Sequence, residues 1–179
     1  MIRIYQAGIK DIDELMELRK AMLREVNSLP EEHTFGKAFN RDSKRFFLSG
    51  NQTTFIAAED KAIACATICY YDVLPTFAHP GGKRAHIMNV YTSKEYRRQG
   101  IASTLLYMLT DQAKERGITE ITLDSVPDTK SIYYKSGFTD SDERMVMDIP
   151  RLLRLNIERA ERTGCGNGNA NCVCSNNKE

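Results

Sequence analysis

The feature that most constrains this chain is a polar, cationic turn between a predicted strand and a predicted helix. The strand covers Ala85 to Thr92, the helix covers Gly100 to Arg116, and Arg97 and Arg98 lie in the turn between them. The start of a helix presents backbone N–H groups without partners, and the helix dipole adds positive potential at the same point. Such a start binds anions, phosphate in particular. A glycine at this position allows the backbone to approach a ligand closely.

The rest of the apolar pattern predicts an α/β domain with a mixed sheet. Asp11 precedes an amphipathic helix and has Glu14 three residues later, which is the spacing of a capping box. A strand, a helix and a strand in succession, as around the helix at Gly100, indicate a parallel crossover. The predicted strands are 2–6, 53–58, 62–71, 85–92, 118–125 and 145–149, and short helices are predicted at 43–48 and 130–136.

Charge and hydropathy exclude several classes of function. The 25 Lys and Arg residues are balanced by 24 Asp and Glu residues, whereas nucleic-acid binders usually carry a strongly basic face. We therefore expect no nucleic-acid partner. No apolar run approaches the roughly 18 residues of a membrane span or the form of a secretory signal. We expect a cytoplasmic protein with no membrane partner.

The cysteines fall into two groups. Cys65 and Cys69 lie in a predicted buried strand, where a reduced thiol packs as a small hydrophobic group. Cys165, Cys172 and Cys174 lie in a Gly- and Asn-rich tail that has no neighbouring histidine. Structural zinc requires four ligands, usually in tighter pairs. We expect an oxidation-prone tail and no metal site.

A second segment, Leu123 to Phe138, completes a recognisable pair of motifs. Arg97, Gly100 and Ala102 match the pattern of Arg or Gln, two residues, Gly, one residue, then Gly or Ala. Downstream, an apolar residue and a tyrosine at Ile132 and Tyr133 are followed after three residues by Gly137 and Phe138. Together the two segments resemble the GNAT acyltransferase superfamily.

The resemblance implies a fold and a division of the chain. It implies an α/β GNAT fold with a mixed, mostly antiparallel sheet of about six to seven strands flanked by helices. A parallel pair of strands that splay apart would lie at its centre. The expected parts are a GNAT domain over 1–149, a helix over 150–163 and a flexible tail over 164–179, which has no counterpart in the family.

The resemblance also implies acetyl-CoA as cosubstrate, with transfer of an acetyl group to a primary amine by direct attack. In the family the first motif forms the pyrophosphate loop of coenzyme A, and a backbone N–H on the preceding strand polarises the thioester carbonyl. The residues expected to contact the cofactor are Val90, Tyr91, Thr92, Arg97, Arg98, Gln99, Gly100, Ile101, Ala102, Ser103 and Ser131.

The same resemblance assigns catalytic roles to Tyr133 and His86. Tyr133 would be the general acid near the sulfur, and a phenol can donate a proton. The adjacent Tyr134 leaves open that either tyrosine only packs. His86 occupies the position of a frequent family glutamate, and histidine titrates near neutral pH. Alternatively, His86 has only a structural role, and bulk water or Asp72 accepts the proton.

The chain departs from the family at Val126, where many relatives carry an asparagine that helps to hold the cofactor. Ser125, Asp128 and Ser131 are therefore secondary candidates. His33 and His79 lie in loops expected to flank the acceptor cleft. The sequence leaves open the identity of the amine, which belongs to a small molecule or a peptide, and whether the protein is a homodimer. The competing function is a catalytically weak acyl-CoA sensor or scaffold with the same fold.

Overall fold

The computed structural model describes residues 1–142 and 144–150. The chain divides into two compact units, residues 1–139 and residues 140–179. The strands are β1 (Arg3–Gln6), β2 (Gln52–Ala58), β3 (Ala62–Asp72), β4 (Lys83–Thr92) and β5 (Glu120–Leu123). The helices are α1 (Ile12–Val26), α2 (Lys37–Phe47), α3 (Ile101–Glu115) and α4 (Lys130–Lys135).

The strands form one mixed sheet in the order β1-β2-β3-β4-β5. The first three neighbouring pairs are antiparallel, and β4 and β5 are parallel. The predicted hairpin is confirmed, because β2 and β3 pair over their length. The predicted crossover is also confirmed, since α3 connects β4 to the parallel strand β5.

Helices cover both faces of the sheet, so β2 and β3 are buried on both sides. We call the two cores the α3-side cluster and the α1-side cluster. The α3-side cluster includes Phe55, Ala66, Ile68, Ala85, Ile87, Ile101, Leu105, Leu106, Leu109 and Tyr133. The α1-side cluster contains Leu15, Met16, Leu18, Phe47, Ile56, Ala58 and Cys65. Side chains on a strand alternate between faces, so each residue of β4 can be assigned to one core or the other.

A bulge interrupts β4 near its end. Between the pairs Thr67 with Met88 and Cys65 with Tyr91, β3 advances two residues and β4 advances three. Asn89 occupies the left-handed region with φ of 57°, which is uncommon for a residue other than glycine. A bulge of this kind breaks the ladder locally and turns the strand. It lies two residues beyond the last pair between β4 and β5, Ile87 with Leu123.

Two features of the expected sheet are wrong. The described residues form five strands rather than six to seven, because residues 145–149 pair with no strand in that part of the chain. Met145 and Val146 are 96% and 86% exposed, so these apolar residues are not buried in a strand. The parallel pair lies at one edge of the sheet rather than at its centre, since β5 is the last strand in the order.

The capping box predicted at Asp11 does not form. Asp11 instead ends a short 3-10 turn, Ile9–Asp11, and its carboxylate accepts a hydrogen bond from the Gly8 N–H at 2.8 Å. The Tyr5 hydroxyl donates to the same carboxylate at 3.4 Å. Asp11 thus fixes the entry to α1 from the preceding turn. Similarly, α2 begins at Lys37, six residues before the predicted helix start.

The predicted helix over 150–163 and tail over 164–179 lie, from residue 151 onward, outside the described residues, so the proposed domain division remains a prediction. The three tail cysteines also lie there. Within the described residues, no helix combines the length and apolar character needed to cross a membrane.

Substitution of Leu105 tests whether α3 packs into the core as described. It is fully buried in the α3-side cluster, whereas Tyr107 on the same helix is 68% exposed. Leu105→Ala should lower the free energy of unfolding by about 2–5 kcal/mol, because it leaves a cavity. Tyr107→Ala should change it by less than about 0.5 kcal/mol. Equal losses in a denaturant titration of the two variants would contradict the packing described.

Candidate functional site

The start of α3 has an unusual backbone. Gly100 is the N-cap residue and adopts φ of 81°, and Arg98, two residues earlier, adopts φ of 62°. The first backbone bond of the helix runs from the Thr104 N–H to the Gly100 carbonyl. The N–H groups of Ile101 to Ser103 therefore precede the helical ladder. A Cβ added at Gly100 would meet no heavy atom within 4 Å beyond its neighbours in the chain, so there is open space beside this turn.

The cationic side chains of the turn have different surroundings. The Arg97 guanidinium donates from Nε to the Thr92 carbonyl at 2.8 Å and from one terminal nitrogen to Glu25 of α1 at 2.7 Å. This hydrogen bond lowers the pKa of the Glu25 carboxyl. Arg97 thus ties the turn to β4 and α1, and its charge is paired with Glu25. Arg98 and Gln99 are exposed.

Tyr133 lies in the short helix α4 and is buried in the α3-side cluster. Its ring makes an edge-to-face contact with Phe138, with 6.1 Å between the ring centroids. Gly137, with φ of 91°, ends the helix, and the Phe138 N–H returns to the Tyr133 carbonyl at 3.0 Å. Burial raises the pKa of the Tyr133 hydroxyl, which keeps the phenol protonated. Tyr134 is 47% exposed.

The end of β4 brings the strand, the turn and α4 together. Val90 packs against the α3-side cluster, which also contains Ile101 at the start of α3 and Tyr133 of α4. Tyr91 packs against the α1-side cluster instead. Beyond Ile87, β4 continues to Thr92 while its pairing with β5 ends at Leu123. In the described part of the chain, this edge of β4 therefore has no strand partner.

His86 points to the α1 side of the sheet, because its neighbours Ala85 and Ile87 both belong to the α3-side cluster. Its Nδ1 lies 2.9 Å from the Thr122 hydroxyl on β5. That hydroxyl is positioned to donate to the Ala85 carbonyl at 3.4 Å. This arrangement assigns the proton to Nδ1 and leaves the lone pair on Nε2.

Tyr133 and His86 consequently lie on opposite faces of the sheet. The structure brings Tyr133 together with Val90 and Ile101 but does not place His86 in the same cluster. The two side chains are separated by β4, at the point where that strand parts from β5.

The secondary candidates are dispersed. Asp72 pairs in register with Lys83, three positions from the Cys69 and His86 pair, so it is not the carboxylate beside His86. His79 Nδ1 lies 2.9 Å from the Thr119 hydroxyl. The His33 carbonyl accepts two hydrogen bonds from Arg24. Ser131 is exposed in the first turn of α4.

Sequence reasoning missed the carboxylate and the hydroxyl beside His86. Asp124 Oδ2 lies 3.8 Å from His86 Nε2, directly after the carboxyl end of β5. The available signal was its position, since ligand sites in open α/β sheets lie beyond the carboxyl ends of parallel strands. Thr122 faces His86 in the parallel register, which no sequence pattern in β5 reveals.

Comparison with known proteins identifies the family and supports the fold. Residues 12–138 match the acetyltransferase (GNAT) family. A crystal structure of a predicted acetyltransferase from Clostridium acetobutylicum, with acetyl-CoA, has 30% sequence identity to this chain. The match covers 84% of this chain and 98% of that one, with a TM-score of 0.74.

Two curated relatives match over shorter segments. One is a probable glucosamine 6-phosphate N-acetyltransferase 2 of Oryza sativa subsp. japonica, 29% identical over 55% of this chain and 61% of the relative. The other is N-alpha-acetyltransferase 30 of Schizosaccharomyces pombe, 36% identical over 48% of this chain and 56% of the relative. The chain thus spans about three fifths of the length of these relatives. The family match extends over more than half of the 179 residues, and the chain belongs to the GNAT acetyltransferase family.

Proposed function

We propose that this protein is an N-acetyltransferase that moves the acetyl group of acetyl-CoA to a primary amine of a small molecule or a peptide. One observation carries the proposal. Val90, Ile101 and Tyr133 meet in one cluster beside the unpaired edge of β4. In this proposal, the unpaired strand edge, the anion-binding helix start and the protonated phenol together form the cofactor site.

GNAT acetyltransferases use acetyl-CoA, and the Clostridium acetobutylicum structure contains it. The turn before α3 fits such a ligand. The N–H groups from Arg98 to Ser103 would hold the pyrophosphate, because the helix start is positive and the space above Gly100 is open. The neighbouring Arg97 would act by fixing the turn, since its guanidinium is engaged by Thr92 and Glu25.

When bound, acetyl-CoA supplies a thioester that a neutral amine can attack at the carbonyl carbon. The carbonyl oxygen would be polarised by a backbone N–H near Val90 to Thr92, where the bulge frees β4 from its regular ladder. Tyr133 would hold a proton for the departing sulfur, and burial keeps its phenol protonated for that role. Val90 and Tyr133 lie in the same cluster, as these two roles require.

His86 would accept the proton of the acceptor amine, directly or through water. The lone pair of Nε2 is available because Nδ1 carries the proton and faces Thr122. Asp124, 3.8 Å from Nε2 but with a 91% exposed side chain, would add only a weak, solvent-screened stabilisation to the imidazolium that forms. The amine would then enter from the α1 side and the thiol would leave on the α3 side. This separation keeps the base and the acid from exchanging a proton directly.

The names of the two curated relatives both denote N-acetylation, of glucosamine 6-phosphate in one case and of an alpha amine in the other. They support an amine as the acceptor. A domain that binds acyl-CoA as a sensor or scaffold is the competing function, and it would bind the cofactor without turnover.

The cofactor site is tested by placing a carboxylate at either end of α3. Gly100 and Gly117 both adopt positive φ, of 81° and 70°, and an added Cβ meets nothing within 4 Å at either position. A glutamate is strained at positive φ even in open space, so it should destabilise the fold by a similar amount at each position. At an effective dielectric of about 20, two like charges about 4 Å apart repel by about 4 kcal/mol. Gly100→Glu should raise the Kd for acetyl-CoA by at least about 100-fold.

Gly117→Glu is the matched control and should bind acetyl-CoA as the unmodified protein does. Calorimetric titration gives the Kd, and the melting temperature of each variant checks its folding. If well-folded Gly100→Glu protein retains its affinity, the pyrophosphate does not lie at this turn.

Transfer is tested at the two adjacent tyrosines. Tyr133→Phe removes only the buried hydroxyl and should lower kcat by about 100-fold, the low end for general acid catalysis, because a thiolate leaves readily. The affinity for acetyl-CoA should remain unchanged. Tyr134→Phe changes an exposed residue on the same helix and should keep kcat within about twofold.

The measurement is steady-state release of free thiol with an accepted amine, alongside calorimetry of cofactor binding. A loss confined to Tyr134→Phe would place the acid at Tyr134. If both variants turn over normally, the general acid does not lie in α4. Cofactor binding by the unmodified protein without transfer to any amine would favour the sensor.

A further inference from the structure

Arg19 on α1 is a half-buried cation with few partners. Its Nε is a buried nitrogen without a hydrogen-bond partner among the described residues. One terminal nitrogen lies 3.5 Å from Asn89 Oδ1, at the limit of a hydrogen bond. The guanidinium lies over the Phe39 ring of α2, 5.6 Å from its centroid. A guanidinium carries several N–H donors, and most of those of Arg19 are unused within the described residues.

No carboxylate within the described residues forms an ion pair with Arg19. Burial lowers its pKa, and the groups that oppose this are the thiols of Cys65 and Cys69. Other arginines near the sheet differ, since Arg84 is paired with Glu120 and Arg97 with Glu25. A charge withdrawn from water without a counter-ion destabilises the fold unless something compensates it.

The position of Arg19 is as specific as its charge. Asn89, which it contacts, is the bulged residue of β4 and also bonds Cys65. The register of the sheet places Cys69 opposite His86 and Cys65 opposite Tyr91. Arg19 therefore lies against the end of β4 on the α1 side, the face to which His86 also points.

A purely structural role accounts for these contacts less well. The Phe39 ring would be covered as well by an apolar side chain, and the rest of the α1-side cluster is apolar. A half-buried charge without a counter-ion is unfavourable for the fold, so packing alone gives no reason for a cation at this position. The cation is explained if an anion joins it during function.

We propose that Arg19 binds a carboxylate or phosphate group of the acceptor, so that the preferred substrates are amines that carry an acidic group. This inference rests on the proposed function, since it places the acceptor on the α1 side. A planar guanidinium suits both anions, because each can accept two parallel hydrogen bonds from it. Arg19 would set the distance and direction from which the amine reaches the end of β4.

The test uses amines in matched pairs that differ in their acidic group. Phosphoethanolamine is compared with ethanolamine, β-alanine with β-alaninamide, and the C-terminal amide of glycyl-aspartate with the C-terminal amide of glycyl-asparagine. The unmodified protein should favour the acidic member of at least one pair by about 10- to 100-fold in kcat/KM, the range for a hydrogen bond to a charged group. The first pair reports phosphate and the other two report carboxylate.

Arg19→Gln should abolish this preference by lowering kcat/KM for the acidic member alone, while the Kd for acetyl-CoA stays unchanged. Arg19→Lys keeps the charge without the planar fork and should retain part of the preference, which preserves the test if Arg19→Gln folds poorly. Arg116→Gln is the control. Arg116 also lies over an aromatic ring, that of Tyr70, at the far end of α3, and its loss should leave the preference intact.

Outcomes for Arg19 and for the proposed function are separable. Transfer to neutral amines with no acidic preference would overturn the inference and leave the proposed function standing. An acidic preference that survives in folded Arg19→Gln would also overturn it. If acetyl-CoA does not bind, the proposed function fails. Calorimetric titration with the same pairs then tests whether Arg19 binds an anion. If no acidic amine binds more tightly than its neutral counterpart, that role is overturned.

Discussion

The site depends on the point at which β4 and β5 stop pairing. Their parallel ladder covers four residues of β4, from Arg84 to Ile87, and beyond it β4 continues to Thr92 paired only with β3 among the described strands. Backbone groups in a sheet are normally satisfied by the neighbouring strand. Beyond Ile87, the edge of β4 that β5 leaves unpaired can present these groups to a ligand, as the proposed function requires. The bulge at Asn89 reinforces this effect, because it interrupts the ladder with β3 at almost the same level.

The two faces of the sheet divide the chemistry around that gap. On the α3 side, Tyr133 lies among apolar neighbours, so its hydroxyl stays protonated. On the α1 side, the side chains near the gap are polar, with His86 held by Thr122 and with Arg19 held by Asn89. The proposed reaction would use this distribution, with the acid in an apolar environment and the base in a polar one. The fold provides it without bringing the two residues together.

Local motifs made part of this site predictable from the sequence. The helix start at Gly100 has a backbone signature, and the count from Gly137 and Phe138 singled out Tyr133, the more buried of the two tyrosines, whose role as general acid stays a prediction. The features that could not be predicted are set by pairing between distant segments. The bulge at Asn89 follows from the register with β3, and Asp124 reaches His86 only because β5 lies beside β4. The apolar run at 145–149 was also wrongly predicted as a strand. A strand needs a pairing partner, and the apolar pattern of the sequence does not show whether one exists.

The central claim, that the released edge of β4 and the start of α3 hold the two ends of one cofactor arm, can be measured by amide chemical shifts. Coenzyme A and pantetheine share the thiol arm, but pantetheine lacks the pyrophosphate. Titration with coenzyme A should shift the backbone amides of both Val90 to Thr92 and Arg98 to Ser103. Saturating pantetheine should shift only those of Val90 to Thr92. Equal shifts of the Arg98 to Ser103 amides with both ligands, or no shift at Val90 to Thr92 with either, would contradict the account.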